Sequence, residues 1–239
     1  MNDLEAFFDA NTEGPQIHKW RHYFGIYDQH FSRFRGKPLV MVEFGVSQGG
    51  SLRMWRDYFG PAARIVGVDI NPLCKEFEAP GIEIVIGDQG DRAFLQELAA
   101  KLPAVDIVLD DGGHTMKQQI FTFEALFPNV AVNGGLYVVE DMHTSYWPKF
   151  GGGLGKRGSF VEYAKGFIDK LHEWHLPGMP AAEVGPFARS VHGLHFYDSV
   201  LVIQKQPMPE PRHEKRGVAS VAEHEYTVAE RIRRRVIGH

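Results

Sequence analysis

Cysteine is nearly absent from this chain of 239 residues, in which Cys74 is the single example. One thiol cannot form a disulfide within the chain or supply a zinc site built on several thiolates. Long apolar runs are missing as well, because no stretch of roughly 18 apolar residues could cross a membrane. The first fifteen residues are acidic where a secretory signal peptide needs basic side chains. We therefore expect a cytoplasmic protein with no membrane partner.

An excess of positive charge is also lacking. Lysine and arginine number 26 against 30 aspartates and glutamates, which leaves a net charge of −4. This balance argues against nucleic acid as the partner, since phosphate backbones are bound mainly by basic surfaces. The composition, 44% hydrophobic and 23% charged, is that of a globular protein, and the length suits one α/β domain.

Seven apolar runs predict the strands of the fold. Five of them show no polar alternation, which is typical of parallel strands buried on both faces; they cover 39–44, 64–69, 82–86, 105–110 and 135–139. Two further runs, 192–197 and 199–205, are separated only by Asp198 and predict an antiparallel hairpin. Helical segments are expected near 50–59, 91–101, 115–128 and 159–175. The alternation predicts an α/β fold with a doubly wound, mostly parallel seven-stranded sheet.

Two segments flank this predicted domain of residues 37–206. Residues 1–36 form an N-terminal helical segment whose aromatic residues step by three or four, so we expect one helical face; these are Trp20, Tyr23, Tyr27, His30 and Phe31. That face either packs on the domain or helps to form and cover its site. Residues 207–239 form a charged C-terminal tail, within which 219–236 are predicted to be a short helix.

The first predicted strand runs into a glycine-rich turn that begins at Glu43 and includes Gly45 and Ser51. In an open parallel sheet, ligands bind beside this turn, and glycine lets the backbone approach them closely. The turn matches neither the dinucleotide fingerprint nor the P-loop. A carboxylate at Glu43 instead suits a ligand with a cationic group, such as an ammonium or a sulfonium.

Polar side chains also follow the next strands. Asp69 ends the second strand, where a carboxylate can accept hydrogen bonds from two ribose hydroxyls. Asp88 and Gln89 end the third strand, where polar side chains can contact an adenine edge. This ordered set resembles the class I S-adenosylmethionine (SAM) methyltransferases over residues 38–205. The resemblance implies SAM as cofactor, with a binding set of Glu43, Gly45, Ser51, Asp69, Asp88, Gln89 and Asp110.

Acidic residues end the fourth and fifth strands, which we expect to be neighbours in the sheet. Asp111 would then lie close to Glu140 and Asp141. Clustered carboxylates repel one another unless a cation lies between them, and oxygen ligands favour Mg²⁺. The alternative is a helix-capping role for Asp111 and solvated loop acids at 140–141.

His114 follows Asp111 by three residues, at the predicted start of a helix. A helix N-terminus disfavours the imidazolium form, so a neutral imidazole can act there as a general base toward a hydroxyl. His143 is the competing candidate for this catalytic role.

The segments D-D-G-G-H and V-V-E-D-M-H-T-S-Y-W-P resemble the metal-dependent O-methyltransferases that modify sugars on macrolide antibiotics. The resemblance implies that Asp111, Glu140 and Asp141 hold Mg²⁺, that His114 is the base, and that Tyr146 and Trp147 lie near the acceptor. It implies methyl transfer to a hydroxyl of a sugar-bearing small molecule. The alternatives are methylation of a catechol-like diol, a cephalosporin-hydroxylase-like reaction and a non-catalytic SAM-binding role. Whether the chain forms a homo-oligomer is left open.

Overall fold

The computed structural model of the chain describes residues 1–221 and, beyond them, Thr227, Val228 and Glu230. Most of the tail helix predicted at 219–236 therefore lies outside the described residues. Within the described part of the chain, no helix is long and apolar enough to cross a membrane.

A seven-stranded sheet forms the centre of the fold, as predicted. The strands, in chain order, are β1 Leu39–Phe44, β2 Ala63–Asp69, β3 Ile82–Ile86, β4 Ile107–Asp110, β5 Leu136–Val139, β6 Val191–Phe196 and β7 Leu201–Lys205. Their order across the sheet is β3-β2-β1-β4-β5-β7-β6. The first five strands are parallel, and β7 pairs antiparallel with both β5 and β6. The predicted hairpin and the predicted pairing of β4 with β5 are both confirmed.

Helices cover both faces of this sheet. In chain order they are α1 Asp3–Ala10, α2 Tyr23–Phe31, α3 Gly50–Phe59, α4 Arg92–Lys101, α5 Met116–Leu126, α6 Phe160–Leu171 and α7 Pro186–Ser190. One apolar cluster joins α1, α2 and α3 to one face of the sheet, and a second joins α4, α5 and α6 to the other. The chain crosses from one face to the other between β1 and β4, which is where open α/β sheets bind ligands.

The N-terminal segment differs from the prediction in one respect. Trp20 was expected on the same helical face as Tyr23 and Tyr27, but it lies before α2 and is 54% exposed. The prediction failed because helical spacing aligns side chains only where the helix is continuous, and residues 11–22 are irregular. We call residues 11–22 the N-terminal strap. It packs so closely on α3 that a Cβ added at Gly50 would lie 2.4 Å from the carbonyl oxygens of Pro15 and Gln16.

Candidate active site

A cavity of about 410 Å³ opens at the carboxyl ends of the parallel strands. Its size is within the range of small-molecule sites, roughly 300–1,000 Å³. Strand ends form most of its wall, and residues 16–20 of the N-terminal strap line it together with Tyr23, Ser51 and Gln118 from three helices. The N-terminal segment is thus part of the site as well as of the core.

The glycine-rich turn after β1 requires glycine at two positions. Gly45 has a φ of +92°, and an added Cβ would lie 2.0 Å from the carbonyl oxygen of Asp111. Gly49 caps α3 with a φ of +73°, and an added Cβ would collide with the Phe77 ring. Both conformations are strained for any other residue. The turn therefore brings bare backbone to the cavity wall.

Asp69 accepts three backbone hydrogen bonds, two of which hold this turn in place. Its Oδ2 accepts from the amides of Val46 at 2.9 Å and Ser47 at 3.0 Å, and its Oδ1 accepts from the amide of Asn71 at 2.9 Å. Asp69 also lines the cavity. Because a carboxylate oxygen has two lone pairs, Oδ1 retains the capacity to accept from a bound hydroxyl.

The structure brings five of the seven predicted cofactor residues to the cavity wall: Gly45, Ser51, Asp69, Asp88 and Gln89. The other two lie directly behind it and are fully buried. Glu43 accepts a hydrogen bond from the Ser51 hydroxyl at 3.0 Å, and Asp110 accepts one from the Gln89 amide at 2.6 Å. Burial raises the pKa of each of these two carboxyl groups to about 7. They support wall residues instead of facing the cavity.

Two of the three predicted metal ligands, Asp111 and Asp141, converge at the cavity wall together with His114, which was predicted as the base. One ligand atom from each of Asp111, His114 and Asp141 lies within 4.8 Å of the other two. Glu140 is adjacent and almost fully buried. Oxygen donors predominate in this set, as a hard divalent cation prefers.

Lys19 of the N-terminal strap enters the same cluster. Its Nζ lies 2.5 Å from Asp111 Oδ2, 2.9 and 3.0 Å from the two Glu140 oxygens, and 3.7 Å from Glu43 Oε1. Burial alone would lower the pKa of this ammonium, but the three carboxylates outweigh burial and raise it. The cluster thus already binds one positive charge, so its donor set fits a cation.

Two tyrosines from α2 complete the polar contacts of the cluster. The Tyr27 hydroxyl donates to Glu140 Oε1 at 2.5 Å, and the Tyr23 hydroxyl donates to Asp141 Oδ1 at 2.7 Å. Burial, together with the charge of Asp111, raises the pKa of Glu140 well above its usual range. The tyrosine contacts help to compensate for taking these carboxylates out of water.

His114 lies at the cavity wall, two residues before α5. Its Nε2 is 3.5 Å from Asp141 Oδ2 and 3.9 Å from Asp111 Oδ1. Burial lowers the pKa of the imidazole, although the two carboxylates act in the opposite direction. The neutral form, which can accept a proton, is therefore favoured.

His143 occupies a different environment. Its Nδ1 lies 2.5 Å from the Ser199 hydroxyl, and its ring contacts Trp147 and Trp20 edge-on at centroid distances of 4.7 and 6.0 Å. Trp147 and its neighbour Tyr146 are about half exposed. Trp20 also lines the cavity, whereas His143, Tyr146 and Trp147 are not among the residues that line it. We call these four aromatic side chains the aromatic wall.

Backbone strain concentrates at this site. Among the described residues, four positions other than glycine have a positive φ: Ser47, His114, Asp141 and Ser199. The first three line the cavity, and the fourth contacts His143. Such conformations cost about 1–3 kcal/mol each and persist where the surrounding structure enforces them, commonly at functional sites.

Sequence reasoning missed Lys19 and did not distinguish Tyr23 and Tyr27 from packing residues. All three lie before the first strand, in the N-terminal strap or in α2. A search for polar residues at the ends of strands therefore does not find them. The available signal was a lysine flanked by His18 and Trp20, immediately before an aromatic helix. Without the fold, this pattern does not indicate that Lys19 contacts the acidic cluster.

No protein-family model matches the chain. It is 38% identical over 192 residues to the 8-demethyl-8-alpha-L-rhamnosyl tetracenomycin-C 2'-O-methyltransferase of Streptomyces olivaceus, covering 77% of this chain and 50% of that protein. It is 39% identical over 189 residues to the mycinamicin VI 2''-O-methyltransferase of Micromonospora griseorubida, covering 75% and 47%. The chain thus spans about half the length of the curated relatives it matches.

A similar solved structure is the MycE methyltransferase of the mycinamycin biosynthetic pathway in complex with Mg and SAH. The TM-score is 0.77 at 34% sequence identity, over 86% of this chain and 55% of that one. A second structure of MycE, with Mg, SAH and mycinamycin VI, has a TM-score of 0.76 at the same identity, over 86% and 54%.

Proposed function

This chain belongs to the class I SAM methyltransferases, in the macrolide-sugar O-methyltransferase group, and we propose that it methylates a sugar hydroxyl of a glycosylated natural product with SAM and Mg²⁺. The observation that carries the proposal is the position of His114. A partly buried imidazole lies at the wall of a ligand-sized cavity, next to two carboxylates of a cation-binding cluster. This combination suits removal of a proton from a hydroxyl.

The cavity is the proposed SAM site, and SAM supplies a methyl group bonded to a positively charged sulfur. Gly45 lets the backbone approach the cofactor, and Asp69 offers Oδ1 to the ribose hydroxyls. Asp88 and Gln89 contact the adenine base in this proposal. Glu43 and Asp110 act from behind the wall, by orienting Ser51 and Gln89.

Asp111, Glu140 and Asp141 are the proposed Mg²⁺ ligands, because carboxylate oxygens are the donors this ion prefers. Bound Mg²⁺ would supply positive charge that lowers the proton affinity of an acceptor hydroxyl. The tyrosine hydroxyls of α2 hold Glu140 and Asp141 in position. The donor set and its existing contact with Lys19 support a cation at this place.

His114 is the proposed general base. It accepts the proton of the acceptor hydroxyl while the oxygen bonds to the methyl carbon and the bond from carbon to sulfur breaks, which leaves S-adenosylhomocysteine. Its lowered pKa supports this role, because only the neutral imidazole accepts a proton. His143 is hydrogen-bonded to Ser199 and is the second candidate, with a role toward the acceptor.

The aromatic wall is the proposed acceptor side of the site. Trp20, Tyr146 and Trp147 are each about half exposed, and the rings of Trp20 and Trp147 contact the ring of His143. Exposed aromatic faces can pack on the apolar face of a sugar ring while its hydroxyls stay free for polar contacts. The acceptor is therefore expected to be a small molecule that carries a sugar.

The proposal is tested by incubating the chain with SAM, Mg²⁺ and a panel of rhamnosides, macrolide glycosides and catechols. We expect a methylated glycoside by mass spectrometry, loss of product with excess chelator, and recovery with added Mg²⁺. Asp111→Asn should abolish turnover, whereas Asp198→Asn, at an exposed carboxylate outside the cavity wall, should not.

Other outcomes would contradict the proposal. Methylation of catechols alone would assign the chain to aromatic diols. SAM binding without transfer to any compound would indicate a non-catalytic role. Full activity in excess chelator would show that methyl transfer does not require a metal ion.

A further inference from the structure

We propose that Lys19 is an internal competitor of the divalent metal, whose ammonium must leave Asp111 and Glu140 when the metal binds them. The inference rests on the proposed metal site and goes beyond it, because it assigns a function to the N-terminal strap. Lys19 is treated as a positioning residue that regulates the site, not as a group that reacts.

The Lys19 ammonium makes several contacts with carboxylate oxygens. A lysine ammonium has three N–H donors, and the structure records three hydrogen bonds, all to oxygens of Asp111 and Glu140. The side chain is only 2% exposed. Among the described residues, the hydrogen bonds of this ammonium all go to carboxylates of the proposed metal site.

Two cations cannot share these oxygens without a large penalty. Mg²⁺ binds oxygen at about 2.0–2.1 Å, and Lys19 Nζ lies 2.5–3.0 Å from three oxygens of the pair. A metal on the same oxygens would therefore lie within about 5 Å of the ammonium, where like charges repel strongly in a buried site. Binding of the metal to Asp111 and Glu140 therefore requires that Lys19 move away.

The local structure allows this movement. Lys19 lies in an irregular part of the N-terminal strap, and a lysine has a flexible four-carbon stem. Its neighbour Trp20 is already half exposed beside the cavity. Residues 16–20 also line the proposed SAM cavity, so release of Lys19 would alter the wall of that cavity.

Competition also explains what Lys19 does without metal. Glu43, Asp111 and Glu140 are close enough to one ammonium to interact with it, and three carboxylates this near would otherwise repel one another. The ammonium balances part of the negative charge of this cluster. The cost of this arrangement is a lower metal affinity.

The first test measures Mg²⁺ binding by titration calorimetry to the chelator-treated full chain, without SAM or acceptor. Lys19→Met should bind Mg²⁺ about tenfold more tightly, or better, because a charge a few ångströms from the ion is removed. Lys149→Met is the matched control and should differ less than about threefold, since Lys149 is exposed and contacts aromatic rings. Equal or weaker binding by Lys19→Met, or no Mg²⁺ binding to either protein, would overturn the inference.

The second test uses the unchanged chain, so it stands even if Lys19→Met fails to fold. In NMR spectra of the chain with nitrogen-15-labelled lysine, the hydrogens of the Lys19 ammonium should exchange faster with water when Mg²⁺ is added, because the ammonium leaves the buried carboxylates. The Asp111→Asn variant should show a smaller rise in this exchange rate. Exchange that is unchanged in the wild-type chain at saturating Mg²⁺ would overturn the inference. Neither measurement depends on methyl transfer, so a chain that shows competition but methylates no glycoside contradicts only the proposed function.

Discussion

Two partly buried histidines, His114 and His143, illustrate how the environment of a residue decides its chemistry. His114 faces Asp111 and Asp141 across 3.9 and 3.5 Å, and its Nδ1 has no hydrogen-bond partner among the described residues. His143 is instead held by the Ser199 hydroxyl and by two tryptophan rings. Only His114 is both at the cavity wall and next to the carboxylates.

At the residue scale we predict that His114→Ala lowers kcat by about 10²–10⁴-fold, the usual cost of losing a general base. SAM affinity should stay near the wild-type value. Because burial lowers the pKa of His114, the wild-type enzyme should keep its activity below the pH at which an ordinary histidine becomes protonated, and lose it as pH falls further. Single-turnover kinetics of the wild type and of His114→Ala across pH 5–9 measure the fall in rate and its pH dependence.

His143→Ala is the matched control for this prediction and should change acceptor KM more than kcat. A wild-type kcat with an unchanged pH profile in His114→Ala would reject His114 as the base. A collapse of kcat in the His143 variant alone would transfer the role to His143.

At the scale of elements, helix α2 of the N-terminal segment also makes contacts at the edge of the sheet that β6 forms. Its His30 Nε2 lies 2.9 Å from the Tyr197 hydroxyl, just after β6, and its ring contacts His195 at a centroid distance of 4.9 Å. Burial lowers the pKa of His30 to about 4, and the nearby His195 and Arg33 act in the same direction. The same helix places Tyr23 and Tyr27 on the carboxylate cluster.

This contact predicts a loss of stability in acid. The folded pKa of about 4 is below the ordinary value of 6.5, so between these pH values the unfolded chain binds more protons than the folded one. The free energy of unfolding should therefore fall as pH drops from 6.5 toward 4, with a contribution from His30 on the order of 2 kcal/mol. Urea unfolding at a series of pH values measures it.

His30→Gln removes the titrating group while keeping a polar side chain, so it should show a shallower decline over the same pH range. His192→Gln, on the exposed side of β6, is the control and should follow the wild-type curve. Parallel curves for the wild type and the His30 variant would show that His30 does not titrate in this range.

At the scale of the whole molecule, the predicted boundary between residues 36 and 37 divides a shared core. Trp55 of α3 is fully buried and contacts the rings of Tyr27 and Phe31 at 5.1 and 5.7 Å. Leu4 of α1 belongs to the same apolar cluster. The division into domains stays a prediction, but cutting the chain at this boundary would expose the large apolar core that α1 and α2 share with α3.

We therefore expect a fragment of residues 37–206 to lose cooperative thermal unfolding, because α3 would present its buried aromatic residues to water. A fragment of residues 1–210 is the control and should unfold with a Tm close to that of the full chain. It keeps β7, which ends at Lys205, and the backbone hydrogen bond that the Met208 amide donates to Arg189. Calorimetry compares the two. Cooperative unfolding of 37–206 at the full-chain Tm would contradict this expectation.

The sequence by itself determined the sheet and the strand ends, because apolar runs and glycine-rich turns are local signals. All seven strands, the parallel order with an antiparallel edge, and the helices between them follow from such runs. The proximity of Asp111 to Asp141 also followed, because the carboxyl ends of neighbouring parallel strands lie at one edge of the sheet. Family membership followed from the motifs at these ends.

Only the tertiary structure decided which side chains lie in front of the cavity wall and which lie behind it. Glu43 and Asp110 follow the strand-end pattern as well as Asp69 does, yet they are buried behind Ser51 and Gln89. The contact of Lys19 with Glu140 joins residues 121 positions apart and carries no local signal. Such contacts depend on how an irregular strap crosses the sheet, which hydrophobic periodicity does not encode because the strap has no period.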